Sequence, residues 1–423
     1  MYNRRHLSEF GGCLFFVALA MQSGTTWASG YQILEHSAAG LGNAFAGSEV
    51  VADDASITFF NPAGMVELTG RQIQAGMSFI FPNLDYEDSG SQTPASAPLS
   101  GLENGGGEVE APIPNFYYVM DLAEDWKFGI ALNVPFGLAT HYDDDWIGRY
   151  HGVESSLQTI NLNPNFAYKI NDRWSVGFGL SIQRIDVTLS NAVDLGGVCA
   201  ASVGSVQCSA LGVVPQSTDG FVTVEGNDTS LGANFGVMFA RSEKVRYGFS
   251  YRSNIKHELQ GDAEFLVPAN AQLLTASGAF VNGNGEAKVD LPAQASFGAV
   301  YHRTDRLTYL FSVSWTEWSR FDELRVQFDN PVQPDAVVTE EWDDTVRYAL
   351  GVSMLRTSNV KLRLGIAFDP TPIPNDIRRT VRVPDGDRTW LSAGLGVRLS
   401  DKARLDIGYT HLLIEDGGIN NTL

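Results

Sequence analysis

From Arg71 onward, apolar and polar residues alternate along the chain, segment after segment. Leu391, Ala393, Leu395, Val397 and Leu399 share one face, opposite Ser392, Gly394, Gly396 and Arg398. Ile160, Leu162, Phe166 and Tyr168 oppose Asn161, Asn163, Asn165 and Lys169 in the same way. So do Val346, Tyr348, Leu350, Val352 and Met354 against Arg347, Gly351 and Ser353. A period of two is that of a β-strand with one apolar face and one small, polar face. A soluble sandwich would alternate likewise, so the connections have to decide.

Short polar pieces separate some strands: Asn171-Asp172-Arg173, Ser242-Glu243-Lys244, Thr304-Asp305-Arg306, Thr357-Ser358-Asn359 and Ser400-Asp401-Lys402. The intervening connections are long, at 87–110, 141–154, 195–229, 266–286 and 374–386. Tight turns at one end and long loops at the other are the signature of an outer-membrane barrel. Such a sheet closes on itself because an open edge in lipid leaves backbone groups unsatisfied. Trp126, Trp174, Trp315, Trp318 and Trp390 lie near strand ends, where interfacial girdles are expected. The fold class is therefore all-β, an antiparallel transmembrane β-barrel over 70–423. Its strands are expected at 71–86, 112–123, 126–140, 156–170, 174–194, 229–241, 245–265, 287–303, 307–328, 341–356, 360–373, 387–400 and 403–415. These number thirteen, where bacterial barrels take an even count, and the polar tail ending at Leu423 supplies no further strand. A last strand is expected to be missing.

Composition agrees with this and excludes other classes. The 423 residues include 43 glycines and 11% aromatics, which suit twisted strands. Past the N-terminus there is no run of about 18 uncharged apolar residues to span a bilayer as a helix. With 29 basic against 49 acidic residues, a nucleic-acid partner is not expected. Seven histidines are scattered without metal-ligand spacing, so neither metal nor cofactor is expected. Asp143-Asp144-Asp145 reads as a solvated loop. Cys199 and Cys208, close in sequence in an exported chain, read as a loop disulfide.

The N-terminus differs from the rest. Arg4 and Arg5, the apolar stretch from Cys13 to Met21, and Thr26-Trp27-Ala28 form a signal peptide, residues 1–28, cleaved after Ala28 or Ser29. Residues 29–69 are rich in Ala, Gly and Ser, have no strand period, and are expected to pack in the lumen as a plug. Asn61 can cap a helix start whose first position, Pro62, lacks an N–H to satisfy.

On three stretches the chain resembles the FadL/TodX family of outer-membrane long-chain fatty-acid and hydrocarbon transporters. They are Ser37–Gly47 leading to Asn61-Pro62-Ala63, then Phe136–Thr140, and then Gly365–Asp369 with Pro384–Gly394. The resemblance runs over essentially the whole mature chain. It implies a fourteen-stranded barrel plugged by its own N-terminus, and ligands that reach an inner pocket and leave sideways where the third strand bends. It implies a plug or gate formed by Asn61, Pro62, Ala63, Pro135 and Gly137. Proline and glycine in that strand give an independent reason for a kink. Phe59, Phe60, Phe136, Arg184 and Arg347 are the candidate ligand-binding residues. Either arginine could neutralise a carboxylate or hold the plug through Asp53 or Asp54. Where the family has a carboxylate-holding lysine, this chain has Trp342-Asp343-Asp344, which keeps a neutral hydrocarbon open as the ligand. Expected partners are a long-chain fatty acid or other hydrophobic molecule, the lipid bilayer and lipopolysaccharide. The chain is expected to work as a monomer, to dock ligand near Phe265–Pro268 and Leu273-Leu274, and to be no enzyme. A general porin and a barrel enzyme are the competing classes.

Overall fold

The computed structural model describes residues 30–103 and 105–422. The signal peptide read at 1–28 lies outside the described residues. Eighteen strands form one antiparallel sheet. They are β1 (Gln72–Ile80), β2 (Ala111–Asp121), β3 (Trp126–Asn133), β4 (Gly137–His141), β5 (Glu154–Lys169), β6 (Trp174–Asp194), β7 (Asp219–Ser242), β8 (Val245–Arg252) and β9 (Ile255–Leu266). They continue as β10 (Gly283–Leu291), β11 (Gln294–Thr304), β12 (Leu307–Thr316), β13 (Glu323–Phe328), β14 (Ala336–Thr339), β15 (Thr345–Leu355), β16 (Val360–Asp369), β17 (Arg388–Ser400) and β18 (Ala403–Ile414). Each traverse pairs with its neighbours in sequence. Five traverses are split in two: β3/β4, β8/β9, β10/β11, β12/β13 and β14/β15, as the shared ladders β8–β11, β9–β10, β12–β15 and β13–β14 show. The sheet thus crosses thirteen times. Among the described residues no ladder joins β18 to β1.

Alternation sorts the two faces. On β6, Phe178, Leu180 and Ile182 are exposed while Gly179, Ser181 and Gln183 are buried. The same split puts Leu364, Ile366 and Phe368 of β16 outside. Large apolar side chains outside and small polar ones inside are what a lipid-facing barrel requires. Trp126 packs on Tyr168 (4.8 Å) and Trp174 on Phe239 (4.4 Å) beside the short turns, as an interfacial girdle does. Trp318 and Trp390 depart from the girdle expected of them: both are buried inside. Trp390 has the parity of Ser392 and Gly394, so its strand turns it inward. The traverse read as starting at Thr229 starts at Asp219, because Phe221 to Val224 extend the ladder with β6 up to Asp194.

Residues 30–69 fill the lumen. They form a turn of helix at Ala38–Leu41 capped by Ser37 (3.2 Å), another at Ile57–Phe60, and a 3-10 helix at Pro62–Glu67. Their backbone reaches the wall where the wall has glycine. A Cβ on Gly177 would sit 2.4 Å from Ala63 N, and one on Gly365 2.1 Å from the Asn43 carbonyl carbon. Outside, the loop after β6 coils into helical turns at Leu195–Cys199 and Ser205–Ala210, bridged by the Cys199–Cys208 disulfide and packed on Ala271 and Leu274.

Candidate functional site

Between the N-terminal segment and the wall lies a narrow cavity of about 70 Å³ that opens in part to solvent. Ile33, Phe45, Phe59 and Phe60 of the segment face Pro135, Arg252 and Arg347 of the wall across it.

Asn61 seats the floor. Its side chain is fully buried, accepts the Ala63 amide (3.1 Å), and donates to the carbonyls of Glu49 (2.8 Å) and Val237 (3.1 Å). Pro62 follows at the first helical position, and Ser175 donates to the Ala63 carbonyl (3.0 Å). One amide thus ties two parts of the segment to β7.

At the third traverse the ladder breaks. β3 ends at Asn133 opposite Asn161, and β4 resumes at Gly137 opposite Gln158. Three residues, Val134-Pro135-Phe136, therefore face two on β5, which is a bulge. On the other side, β2 pairs with β3 only as far as Phe116↔Leu132, so Ala111 to Asn115 have no ladder partner there among the described residues. The N-terminal segment occupies the vacancy. Gln32 bridges Phe136, the Ile33 amide donates to Pro135 O (2.9 Å), and the Gly137 amide donates to Tyr31 O (3.0 Å). Ile33 packs with Ile113 and Val134 and also lines the cavity, so this one side chain stands between cavity and break.

Of the residues singled out from sequence, Phe59, Phe60, Pro62, Pro135 and Arg347 line the cavity. Gly137 adjoins it through Ile33, whose Cδ1 lies 2.6 Å from where a Cβ would be. Phe136 does not line it; the bulge turns its ring into a buried aromatic cluster with Tyr31 (6.1 Å) and Trp318 (6.2 Å). Arg184, expected inside, is on the outer face, half exposed and paired with Asp186 (2.6 Å). It shares the parity of Phe178, Leu180 and Ile182, and sits just past them where β6 runs out of the apolar band. Arg347 is held in place: it donates to Ala44 O (2.8 Å), stands 3.6 Å from Asp369 and lies over the Trp390 ring (4.9 Å). Neither Asp53 nor Asp54 pairs with these arginines; they pair with Lys361 and Arg404. Asp344 accepts from Trp315 Nε1 (3.2 Å) and the Ser319 amide (3.0 Å).

Sequence reading missed Ile33, Glu49 and Arg252. Arg252 was legible: with Arg246, Gly248 and Ser250 it forms the polar face of β8, against Tyr247, Phe249 and Tyr251. Glu49 lies in the segment, accepts from Ser312 Oγ (2.9 Å), and is pushed up to about 7 by burial. A carboxyl raised from 4.5 adds stability to the docked segment that is full below about 4.5 and lost as pH rises through about 7. Glu49→Gln is therefore expected to tighten docking at alkaline pH and flatten its pH slope, the buried Glu35 supplying what remains. Amide hydrogen exchange of residues 46–52 checks this, and an unchanged slope in the variant would refute it.

The sequence pattern of the family described as "Outer membrane protein transport protein (OMPP1/FadL/TodX)" matches residues 19–423. The chain belongs to this family. Like its FadL/TodX relatives, it is a transport channel of the bacterial outer membrane and not an enzyme. It is 30% identical to the long-chain fatty acid transport protein of Escherichia coli O6:H1, over 94% of this chain and 89% of that one. It is 31% identical to the 47 kDa outer membrane protein of Pasteurella multocida, over 96% and 92%. Among solved structures, the crystal structure of a Pseudomonas aeruginosa FadL homologue matches with a TM-score of 0.78 at 26% identity, covering 92% of each chain. The CymD monoaromatic hydrocarbon channel, at 18% identity and a TM-score of 0.60 over 91% and 93%, shares the fold.

Proposed function

We propose that this FadL/TodX-family barrel takes up long hydrophobic molecules, long-chain fatty acids first among them, into the lumen cavity and releases them sideways into the membrane. The observation that carries this reading is the break at Val134-Pro135-Phe136, stoppered by Ile33 from the cavity side. A polar solute would have no reason to leave through a wall facing hydrocarbon, whereas an acyl chain gains about 0.8 kcal/mol per methylene on leaving water. Segment 29–69 acts as the plug: Asn61, Pro62 and Ala63 anchor it, while Ile33, Pro135 and Gly137 form its gate. One chain supplies cavity, plug and break, so the monomer is the working unit. No ATP is involved; the ligand moves down its gradient.

Uptake of a neutral aromatic or alkane hydrocarbon is the second reading. It is favoured by Asp343 and Asp344 standing where the family resemblance implies a lysine. The deciding experiment is uptake of labelled oleate and labelled toluene by cells lacking their own such channel and expressing this chain, with folding verified by heat-modified gel mobility. Oleate uptake is expected. Toluene without oleate moves the assignment to hydrocarbons, and neither, from a folded barrel, refutes the proposal.

A further inference from the structure

We propose that Arg252 is the specificity-determining residue of the cavity, the cation that receives the ligand's carboxylate and so sets fatty acids above neutral hydrocarbons. This rests on the lumen cavity being the ligand site. The cavity wall holds two cations, Arg252 and Arg347. Arg347 has an anion of its own in Asp369, and a carbonyl, Ala44 O. Arg252 has no acidic partner within ion-pair distance among the described residues. Its guanidinium donates to the Ser181 hydroxyl (2.9 Å) and the Phe59 carbonyl (3.0 Å), and lies over the Phe59 ring (4.2 Å). All three contacts are neutral groups that fix its plane.

A guanidinium drawn out of bulk water is costly without a counter-charge. Four other cations inside have carboxylates, Lys361 with Asp53, Arg363 with Asp406, Arg388 with Asp385 and Arg404 with Asp54, while Arg382, away from the cavity, uses its whole fork on Glu154 O, Ser155 and Asn191. At Arg252 the counter-charge is left for what enters the cavity. A planar fork already oriented by Ser181 and Phe59 is built for a bidentate carboxylate. The ring it lies on belongs to the apolar lining, with Ile33, Phe45 and Phe60, which an acyl tail would follow from that head group.

The test compares two probes with the same tail, decanoate and decanol, titrated calorimetrically into the purified full-length chain in detergent at mildly alkaline pH. Arg252→Met keeps an apolar stem on Phe59 and removes the charge; Arg252→Lys keeps the charge and loses the fork. We expect Arg252→Met to weaken decanoate about 10- to 100-fold, the worth of a charged hydrogen-bonded pair, with decanol within about twofold. Arg252→Lys falls between. Equal losses for both probes would mean a packing role and would overturn the proposal, as would a selective loss of decanoate in Arg347→Met but not in Arg252→Met. Equal binding of both probes to the unaltered chain overturns it while leaving the channel reading intact. Binding of neither overturns both.

Discussion

Joining residues 32 and 136 by a disulfide is expected to stop uptake, and reducing that bond to restore it. Gln32 and Phe136 face each other as an antiparallel pair flanked by the hydrogen bonds of their neighbours, Ile33 to Pro135 and Gly137 to Tyr31. They are thus a non-hydrogen-bonded pair, the kind whose Cα atoms come within about 4.5 Å, inside the range a disulfide spans. In Gln32→Cys/Phe136→Cys the oxidised bond fixes the segment on strand three and keeps Ile33 in the break. If ligand leaves there, the segment has to detach locally, against two backbone hydrogen bonds, the packing of Ile33 on Ile113 and Val134, and the Tyr31 ring held by Phe136 and Trp318. Noncovalent contacts of this kind, about 0.5–1.5 kcal/mol for each net hydrogen bond, can open and reclose, whereas a covalent bond is not broken thermally. The reduced double variant controls for the lost Phe136 ring. Oleate uptake at the same rate in oxidised and reduced cells would refute a sideways exit at this point.

Gly236→Ala is expected to unseat the floor of the cavity and leave an ion-conducting barrel. A Cβ at 236 would lie 1.9 Å from Asn61 Oδ1, far inside van der Waals contact, against a side chain that is fully buried. Asn61 would have to leave, losing its bonds to the Glu49 and Val237 carbonyls and to the Ala63 amide. Buried polar groups left unpaired cost about 1–3 kcal/mol each, so the loss amounts to several kcal/mol at a point that ties the Glu49 turn and the Pro62 turn together and to the wall. Asn61→Ala removes the same bonds without the clash and should give a smaller rise. Conductance in planar bilayers is the measurement, with heat-modified mobility showing that the barrel persists. A silent Gly236→Ala barrel would mean that the seal lies elsewhere.

Barrel and faces were legible because strand parity is local. Trp390 and Arg184 could have been placed from their neighbours alone: one shares parity with Ser392 and Gly394, the other with Phe178 and Leu180. The family resemblance makes Arg184 a ligand-binding candidate, whereas β6 outruns the apolar band and its outward positions become polar. Phe136 could not be placed by parity. A single extra residue at Val134-Pro135-Phe136 flips every side chain that follows, and nothing in the sequence marks on which side the bulge falls. The helix start at Asn61-Pro62 was readable from capping chemistry, because a cap involves adjacent residues. Ile33 and Glu49 were not, since their roles come from Val134, Pro135 and Ser312, far along the chain.

That remoteness bears on how the molecule is made. Asn43 donates to the carbonyls of Val352 and Leu364, and Ala44 accepts from Arg347, across sequence separations of 309, 321 and 303 residues. During export the N-terminal segment emerges first, and the strands that receive it arrive last. Contacts of this span form slowly because the chain between them has to be ordered beforehand. The segment therefore waits for the strands that receive it. Maturation rate should then be governed by the final strands, with protease resistance of residues 30–69 appearing only once those strands are in place.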